Sequence, residues 1–592
     1  MPGGVQRAPL SRRTFLVGTA TAAALTALPP SVSAAPGKSV AVFGAGIAGL
    51  TAAHELVDRG YTVTVYERKA LGGKARSIPV PNSGATPLPA EHGFRFFPGF
   101  YRNVTDTMRR IPFPGNGNGA WENLTRATSY LHSGMGRSDL TVPLPFPLPT
   151  LPNPITPKAF IESVTTVFET LFRLPLWEAA YAAQKLAVYV TSSNERKLGQ
   201  WENMTWEDYI GANRKSAEYN RYLADGIIRN LAASKSRDAS AHSIGLVGEA
   251  SVWSILLFGN DIDGKGFDRV LNGPTSSQWL DPWVDHLRDQ GVTFHVGRAL
   301  SRLTPNGRHI QSATVTGTNG IPQQVTHDWY VSAVPCEKLA AVLTPDLLDA
   351  DPLLANIALL RTEWMNGLMF YLKKRVDVTK GHVNYVDSAW AITSISEAQF
   401  WKKSLTTYGD GTVKDCMSAI ISDWSTPGNF NRKSAMDCTP DEIADEAWSQ
   451  IKAHLNDTDT VVTDSMLHSW FLDPSIIDSG TPDVRNDEPL FIQDPGSWNR
   501  RPTAVTAIDN LFLAGEWIKT DQNVTTMEGA NEGGRYAANG VLQASGYNGD
   551  MVKIVELFQA PWWAPFKQVD RGRYRSGLPH VLDILDTRWP SR

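Results

Sequence analysis

The sequence predicts an α/β fold built on a parallel β-sheet, together with a second region of mixed α+β structure. Residues 38–67 run in the order apolar strand, glycine-rich turn, helix and second strand, which is the order of a βαβ unit. Residues 509–542 repeat a short apolar strand, a turn and a helix near the other end of the chain. A chain of 592 residues is too long for one ordinary core, so the stretches between these motifs are expected to build a second domain.

Composition excludes several classes of protein. Hydrophobic residues make up 42% and charged residues 20% of the chain, as in a globular protein rather than a disordered one. The formal net charge of −4 argues against a nucleic-acid partner. The three cysteines, Cys336, Cys416 and Cys438, are far apart, which excludes a disulfide framework and a cysteine zinc site. No metal-ligand motif and no apolar run of about 18 residues is present, so neither a metal nor a spanning helix is expected.

The first 35 residues are interpreted as an export signal. The pair Arg12-Arg13 is followed by x-Phe-Leu, a weakly apolar stretch and small residues at 33–35, an order typical of a signal peptide. The paired arginines resemble the twin-arginine type, which implies the twin-arginine export machinery as a partner and an extracytoplasmic or secreted protein. The alternative is a cytoplasmic protein with an uncleaved, alanine-rich leader.

The opening βαβ unit is expected to begin with a buried parallel strand at residues 39–43, which are apolar and β-branched. A helix follows over residues 47–59, where Gly60 ends it, and a second strand covers residues 62–66. These elements supply the structural context that a glycine motif needs in order to be informative.

The turn of this unit carries a Gly-x-Gly-x-x-Gly motif formed by Gly44, Gly46 and Gly49, with Ala48 inside it. Gly44 makes the tight turn, Gly46 lets the backbone approach a pyrophosphate, and Gly49 lets helix and strand pack closely. Glu67 lies 18 residues after Gly49, where a carboxylate accepts hydrogen bonds from a ribose. The complete unit predicts a Rossmann-like dinucleotide-binding domain.

A second glycine motif follows the second strand at residues 71–77. Gly73 permits close backbone approach, and three basic residues, Arg68, Lys74 and Arg76, are available to neutralise phosphate. The motif resembles that of the FAD-dependent amine oxidase and phytoene desaturase superfamily, and the resemblance implies FAD as the cofactor. The alternative is an ordinary Gly-Gly turn with solvated basic residues.

The closing motif near the C-terminus resembles the C-terminal FAD motif of the same superfamily. A strand at residues 511–514 ends in Gly515-Glu516, and Met527-Glu528-Gly529-Ala530 opens a helix. The resemblance implies that Glu516 binds the ribityl chain of FAD. It also implies that the turn formed by Met527, Gly529 and Ala530 contacts the flavin ring.

The resemblance implies a GR2-type FAD-binding domain assembled from distant segments. A helix at residues 279–289, a strand at 292–296 and another at 328–335 return the chain to that domain, and Val296 is the candidate for adenine-side contacts. The expected organisation is a signal peptide at 1–35; an FAD-binding domain at 38–100, 268–340 and 495–548; a substrate domain at 101–267 and 341–494; and a C-terminal tail at 549–592.

The substrate domain is expected to contain an extended proline-rich connector near residues 143–157. Helices follow over residues 160–190, interrupted at Pro175. They are expected to close the domain, and a peripheral contact with a membrane surface stays open as the alternative. Strands are expected at residues 369–372 and 383–385.

Candidate catalytic residues come from the loop after the second glycine motif. His92 is the candidate for acid–base chemistry or a ring contact, and Arg95 for orienting a substrate. Amine oxidases of the superfamily usually carry an aromatic ring just before the Met-Glu-Gly-Ala turn, whereas this chain has Thr526 there. Trp470 and Trp498 are the other candidates for contacting substrate, within a cavity expected to have aromatic walls because the chain holds 19 Trp.

The expected function is FAD-dependent oxidation or desaturation of a mainly apolar molecule, such as an isoprenoid or secondary metabolite. Its substrate transfers a hydride to flavin N5, and oxygen or a quinone reoxidises the flavin. The motif style around residues 91–95 is similar to phytoene desaturases and hydroxysqualene dehydroxylases. The alternatives are an amine or amino-acid oxidase, a redox-neutral flavin mutase or isomerase, and a flavin-free escort protein that binds prenyl groups.

Overall fold

The computed structural model describes residues 38–144, 154–226, 228, 234–258 and 266–583. The predicted signal peptide, the centre of the proline-rich connector and the end of the C-terminal tail lie outside the described residues. Across the described ranges, no helix is both long enough and apolar enough to span a membrane.

The bounds of the regular elements are as follows. The described helices are α1 Ile47–Val57, α2 Asn103–Arg110, α3 Pro157–Phe172, α4 Leu176–Thr191, α5 Asn194–Gly199, α6 Trp206–Ile210, α7 Ala217–Tyr219, α8 Ala241–Trp253, α9 Asp281–Asp289, α10 Cys336–Ala340, α11 Pro345–Ala350, α12 Pro440–Leu455, α13 Ser497–Arg500, α14 Met527–Ala544 and α15 Ala564–Arg575. The described strands are β1 Ser39–Phe43, β2 Thr62–Glu67, β3 Ser77–Pro79, β4 Pro89–Glu91, β5 Leu124–Arg126, β6 Ser129–Ser133, β7 Leu140–Pro143, β8 Arg269–Leu271, β9 Thr293–Val296, β10 Arg298–Asn306, β11 His309–Gly317, β12 Pro322–Val325, β13 Trp329–Ser332, β14 Thr362–Glu363, β15 Asn366–Leu372, β16 His382–Tyr385, β17 Thr393–Ser396, β18 Asp415–Ile421, β19 Leu467–Leu472, β20 Ile476–Ile477, β21 Arg485–Asn486, β22 Leu490–Phe491 and β23 Leu511–Leu513.

A five-stranded parallel sheet forms one half of the described structure, in the order β23-β13-β1-β2-β9. Its central strand β1 is fully buried over Val40–Phe43, because a parallel strand is covered on both faces. The outer strands come from residues near 293 and 511, so segments far apart in sequence complete one sheet. The α/β fold class and the assembly from distant segments are therefore confirmed.

Helix α14 packs directly against helix α1 and joins the two ends of the chain. A Cβ on Gly534 would lie 2.4 Å from the backbone oxygen of Ala48, so only glycine permits this approach. The buried amide of Asn531 donates to the hydroxyls of Thr51 at 2.8 Å and Thr107 at 3.0 Å. The C-terminal motif is therefore held against the N-terminal motif by close packing and by buried hydrogen bonds.

A seven-stranded sheet forms the second half, in the order β19-β15-β18-β17-β16-β6-β7. One face packs on helix α12 in a core where the rings of Phe370 and Trp448 are in tilted contact, with centroids 5.0 Å apart. The predicted strands at 369–372 and 383–385 lie within β15 and β16. Pro175 separates α3 from α4, as the sequence predicts.

The C-terminal tail packs on the helical region. Asp570 on α15 accepts a hydrogen bond from Arg196 Nε at 2.7 Å, and both side chains are fully buried. The ring of Trp563 is in tilted contact with that of Trp253, with centroids 5.1 Å apart. These contacts tie the described part of the tail to helices α5 and α8.

Glu528 is expected to be essential for stability. Its carboxylate accepts backbone N–H groups of Arg102, Asn103 and Val104 at 2.7–2.9 Å, which caps the start of α2. Glu528→Ala leaves those buried donors without partners, so we expect a loss of roughly 3 kcal/mol and a lower thermal midpoint by circular dichroism. Glu162→Ala on the exposed face of α3 is the control; equal midpoints for the two variants would contradict this role.

Candidate flavin site

One cavity of about 870 Å³ joins the carboxyl edge of the parallel sheet to the helical region. Its volume suits a sizeable ligand. Glycine-motif and C-terminal-motif residues line one end, and apolar side chains of α3, α4 and α8 line the other. The cavity therefore places a nucleotide site and an apolar chamber in one continuous space.

The two glycine motifs meet at the sheet end of the cavity. A Cβ on Gly73 would lie 2.8 Å from Gly46 Cα, and the φ of Gly73 is +55°. Helix α1 begins here with Gly46 as its N-cap, without a side-chain cap and without an acid in its first turn. A helix N-terminus of this kind attracts phosphate. Gly44 and Ala48 line the same end, and a Cβ on Gly49 would lie 1.9 Å from Gly44 O.

Glu67 stands at the end of β2 and lines the cavity. Its Oε2 accepts the N–H of Ala45 at 2.8 Å, and its Oε1 accepts the N–H of Lys69 at 2.7 Å. These bonds fix the carboxylate, and each oxygen retains capacity to accept from a ribose hydroxyl. The glycine cradle and the fixed carboxylate together fit a dinucleotide.

The basic residues of the second glycine motif have protein partners. Arg76 is buried, forms a bidentate pair with Glu488 at 3.1 Å and donates to Gly73 O at 2.6 Å. Arg68 pairs with Asp487 at 2.7 Å, and Lys74 Nζ donates to Pro489 O. The structure thus uses these three cations to connect the motif to residues 487–489, which sequence reasoning did not foresee.

The C-terminal motif forms the opposite wall of the nucleotide end. Gly515, Glu516, Met527 and Ala530 line the cavity. Thr526 also lines it and caps α14 by accepting the N–H of Gly529 at 2.9 Å. The residue that departs from the aromatic-cage pattern is therefore the N-cap of the helix.

Arg501 holds the loop between β23 and α14. The buried guanidinium donates to the backbone oxygens of Glu516, Trp517 and Ile518 and to the side chain of Asn523. Burial lowers the pKa of Arg501 to about 10, so it stays charged near neutral pH. The loop that carries Glu516 is fixed from behind by one cation.

The predicted adenine-side residue lies beside Glu67. Val296 pairs with Glu67 in the β2–β9 register and is 49% exposed. It is outside the cavity lining, whereas Arg298, Ala299 and Leu300 line it. The cavity wall that the sequence assigns to Val296 is therefore formed by the first residues of β10.

His92 and Arg95 both line the cavity. The Nδ1 atom of His92 contacts Asp473, which Asn366 Nδ2 also reaches at 2.9 Å. Burial alone would raise the pKa of Asp473, but His92 and these hydrogen bonds outweigh it and hold that pKa well below its usual value. Arg95 donates to Lys74 O at 2.6 Å and lies 3.8 Å from Glu91, so its guanidinium already has partners.

The structure does not bring Trp470 or Trp498 into the cavity lining. Trp470 packs with the core between the seven-stranded sheet and α12. Trp498 lies against His242, with ring centroids 6.1 Å apart. The cavity walls carry Phe and Tyr rings, with only Trp206 and Trp517 among the described tryptophans. Most of the other described tryptophans pack in the cores, where their large rings find the contact area they need.

Sequence reasoning missed a second polar group in the cavity. Tyr130, His132, Asp268 and His382 all line it. No motif links residues so far apart in sequence. The signal that could have revealed part of the group is the alternation Tyr130-Leu-His132 on a short strand, which puts two polar rings on one face.

The chain belongs to the family of flavin containing amine oxidoreductases, whose match covers residues 47–542. This family match, together with the relatives below, shows that the chain is a FAD-dependent oxidoreductase. Among curated relatives, it is 25% identical to the carotenoid phi-ring synthase of Streptomyces griseus, over 87% of this chain and 90% of that one. It is 24% identical to the zeta-carotene desaturase of Synechocystis sp., over 85% and 97% of the two chains.

Solved structures show the same fold at low sequence identity. Putrescine oxidase bound to putrescine superposes with a TM-score of 0.56 at 12% identity, over 86% of this chain and 99% of that one. Cyclohexylamine oxidase from Brevibacterium oxydans gives a TM-score of 0.53 at 14% identity, over 86% and 99%.

FAD, when bound, supplies the hydride-accepting chemistry. The α1 N-terminus and the Gly46–Gly73 contact would hold its diphosphate, Glu67 its ribose, and the Glu516 loop with the start of α14 its flavin half. The chain's own task is to fix these groups and to exclude water from the apolar chamber beyond them.

Gly73→Ala is expected to lower FAD affinity about tenfold or more. The new Cβ would push the second glycine loop away from Gly46, and positive φ adds about 1–3 kcal/mol of strain. Flavin content after purification and titration of stripped protein measure the change. Gly307→Ala is the control, because Gly307 has a φ of +58° with nothing within 4 Å of its Cβ position. Equal FAD affinity in both variants would contradict the proposed cradle.

Proposed function

We propose that this flavoenzyme oxidises or desaturates a long, mainly apolar molecule of the isoprenoid class. The observation that carries the proposal is the apolar chamber that continues from the flavin end of the cavity between α3, α4 and α8. A polar or small cationic substrate would leave most of that chamber unfilled.

Helix α3 forms one wall of the chamber. Phe160, Val164, Val167 and Phe168 recur at helical spacing and line the cavity, while Thr166 faces solvent. The amphipathic pattern gives the helix an apolar inner face. Ile244 and Val247 on α8 line the cavity as well.

Polar residues are few among the side chains of α3, α4 and α8 that line this chamber. Lys185 on α4 forms a buried pair with Asp583 at 2.9 Å. Thr526 occupies the place of a cage aromatic, which disfavours simple amine oxidation. His92, positioned by Asp473, is proposed as the polar group that contacts substrate or flavin, because its Nε2 is buried without a hydrogen bond among the described residues.

Three further roles belong to the same proposal. Oxygen or a quinone reoxidises the flavin. The Arg12-Arg13 segment directs export through the twin-arginine pathway. Leu176 and Trp177, which are 61% and 60% exposed at the start of α4, make a peripheral contact with a membrane surface. The same proposal includes an FAD-binding domain at 38–100, 268–340 and 495–548 and a substrate domain at 101–267 and 341–494.

Anaerobic mixing distinguishes the substrate classes. We expect isoprenoid polyenes to bleach the flavin absorbance lastingly. We expect putrescine and other amines to leave it unchanged. Bleaching by amines alone would overturn the proposal in favour of an amine oxidase.

Val167→Asp is expected to reduce kcat/KM for an isoprenoid substrate by about tenfold or more. The carboxylate would enter the apolar chamber, where a buried charge is costly. Thr166→Asp, on the exposed face of the same helix, is the matched control and should leave kcat/KM nearly unchanged. FAD content should be equal in both variants, and equal kcat/KM values would exclude α3 from the chamber wall.

A further inference from the structure

A polar corner interrupts the apolar walls of the cavity. It consists of Tyr130 and His132 on β6, His382 at the start of β16, and Asp268 just before β8. The Tyr130 ring lies 4.9 Å from that of His132 and 6.1 Å from that of His382, between centroids. Parallel pairing of β6 with β16 brings these rings together on the sheet.

His382 and Asp268 form a buried pair. The imidazole Nδ1 lies 2.7 Å from Asp268 Oδ2, and the residues are 2% and 1% exposed. In a neutral ring, Nδ1–H donates to the carboxylate and leaves Nε2 as a hydrogen-bond acceptor. That Nε2 atom is buried and makes no hydrogen bond within the described part of the chain.

Two further polar groups belong to the same corner. The Tyr130 hydroxyl is also buried without a hydrogen bond in the described ranges. Burial and the nearby Asp268 carboxylate raise the pKa of Tyr130, so its O–H keeps its proton. His132 Nδ1 lies 3.2 Å from Asn384 Nδ2, and burial lowers the pKa of His132 to about 4. His132 is therefore neutral, with its proton on Nε2.

Aromatic rings pack against this corner. The rings of Phe94 and Phe96 lie 4.8 and 5.1 Å from the His382 ring, between centroids. Buried polar atoms in native proteins nearly always find partners. A purely hydrocarbon ligand would leave Nε2 of His382 and the Tyr130 hydroxyl without any.

We propose that the polar corner binds a single hydroxyl group, so that the substrate is a long apolar alcohol rather than a pure hydrocarbon. The substrate O–H donates to His382 Nε2, and its oxygen accepts from Tyr130. Asp268 is a positioning residue that fixes the His382 tautomer. The inference rests on the proposed function, because an apolar chain must occupy the chamber beyond.

The test is equilibrium dialysis of the FAD-loaded protein with dodecan-1-ol and with 1-methoxydodecane, which keeps the oxygen but lacks the donor. The wild-type protein should bind the alcohol about tenfold more tightly, since the ether leaves the histidine acceptor without a partner. His382→Phe should bring the two dissociation constants within about twofold, because the acceptor that distinguishes the alcohol from the ether is gone. His382→Gln, which keeps an acceptor, should restore part of the preference.

Two further variants distinguish loss of His382 positioning from a general loss of probe fit in the cavity. Asp268→Asn should weaken the preference for alcohol, because the tautomer of His382 is no longer fixed. Phe168→Leu, in the apolar wall, should weaken binding of both probes and preserve their ratio. If His382→Phe does not fold with FAD, the subsite is tested instead by comparing the ratio of the alcohol and ether dissociation constants between the wild-type and Asp268→Asn proteins.

The outcomes distinguish this inference from the proposed function. Two results would overturn the hydroxyl subsite: equal affinity for alcohol and ether in the wild-type protein, or an affinity ratio that neither His382→Phe nor Asp268→Asn changes. Either result would leave the proposal of an apolar chamber intact. Failure of both probes to bind wild-type protein overturns the apolar substrate class and the subsite together.

Discussion

The close packing of α14 on α1 is the contact on which the cofactor half depends. It exists because Gly534 has no Cβ to collide with Ala48 O, 2.4 Å away from where that carbon would be. Arg535, one residue later, reaches Asn103 O and Asp106 at 2.8 Å each, so the same helix also fixes α2. Together with the pairing of β23, β13 and β1 in the sheet, this contact brings the two FAD motifs into one site.

That contact determines how the site is divided. The N-terminal motifs supply phosphate and ribose groups from one side, and the α14 turn supplies the flavin wall from the other. The loop at 92–96, pinned through His92 to Asp473 and through Arg95 to Lys74 O, lies between the nucleotide end and the chamber. The seven-stranded sheet then contributes one face to its own core and the polar rings of β6 and β16 to the cavity.

The sequence could predict the elements whose signals are local. The strand at 39–43, Gly46, Gly73 and the helix opening at Met527 all lie where their patterns indicate. The individual side-chain contacts between distant residues could not be predicted from local patterns. The glycine motif predicts that Arg76 binds phosphate, whereas the structure pairs it with Glu488. The sequence also proposes Trp470 as a substrate contact, whereas it packs in a core. The His382–Asp268 pair arises only because β16 and β8 approach each other in three dimensions.

A crystal structure of the FAD-loaded protein tests the central claim most directly. The claim is that flavin and apolar substrate share one continuous cavity. We predict that the flavin ring lies beside Glu516 and Ala530, with its reactive face open to a chamber bordered by α3 and α8. A flavin ring elsewhere, or a closed wall between the ring and that chamber, would contradict the claim.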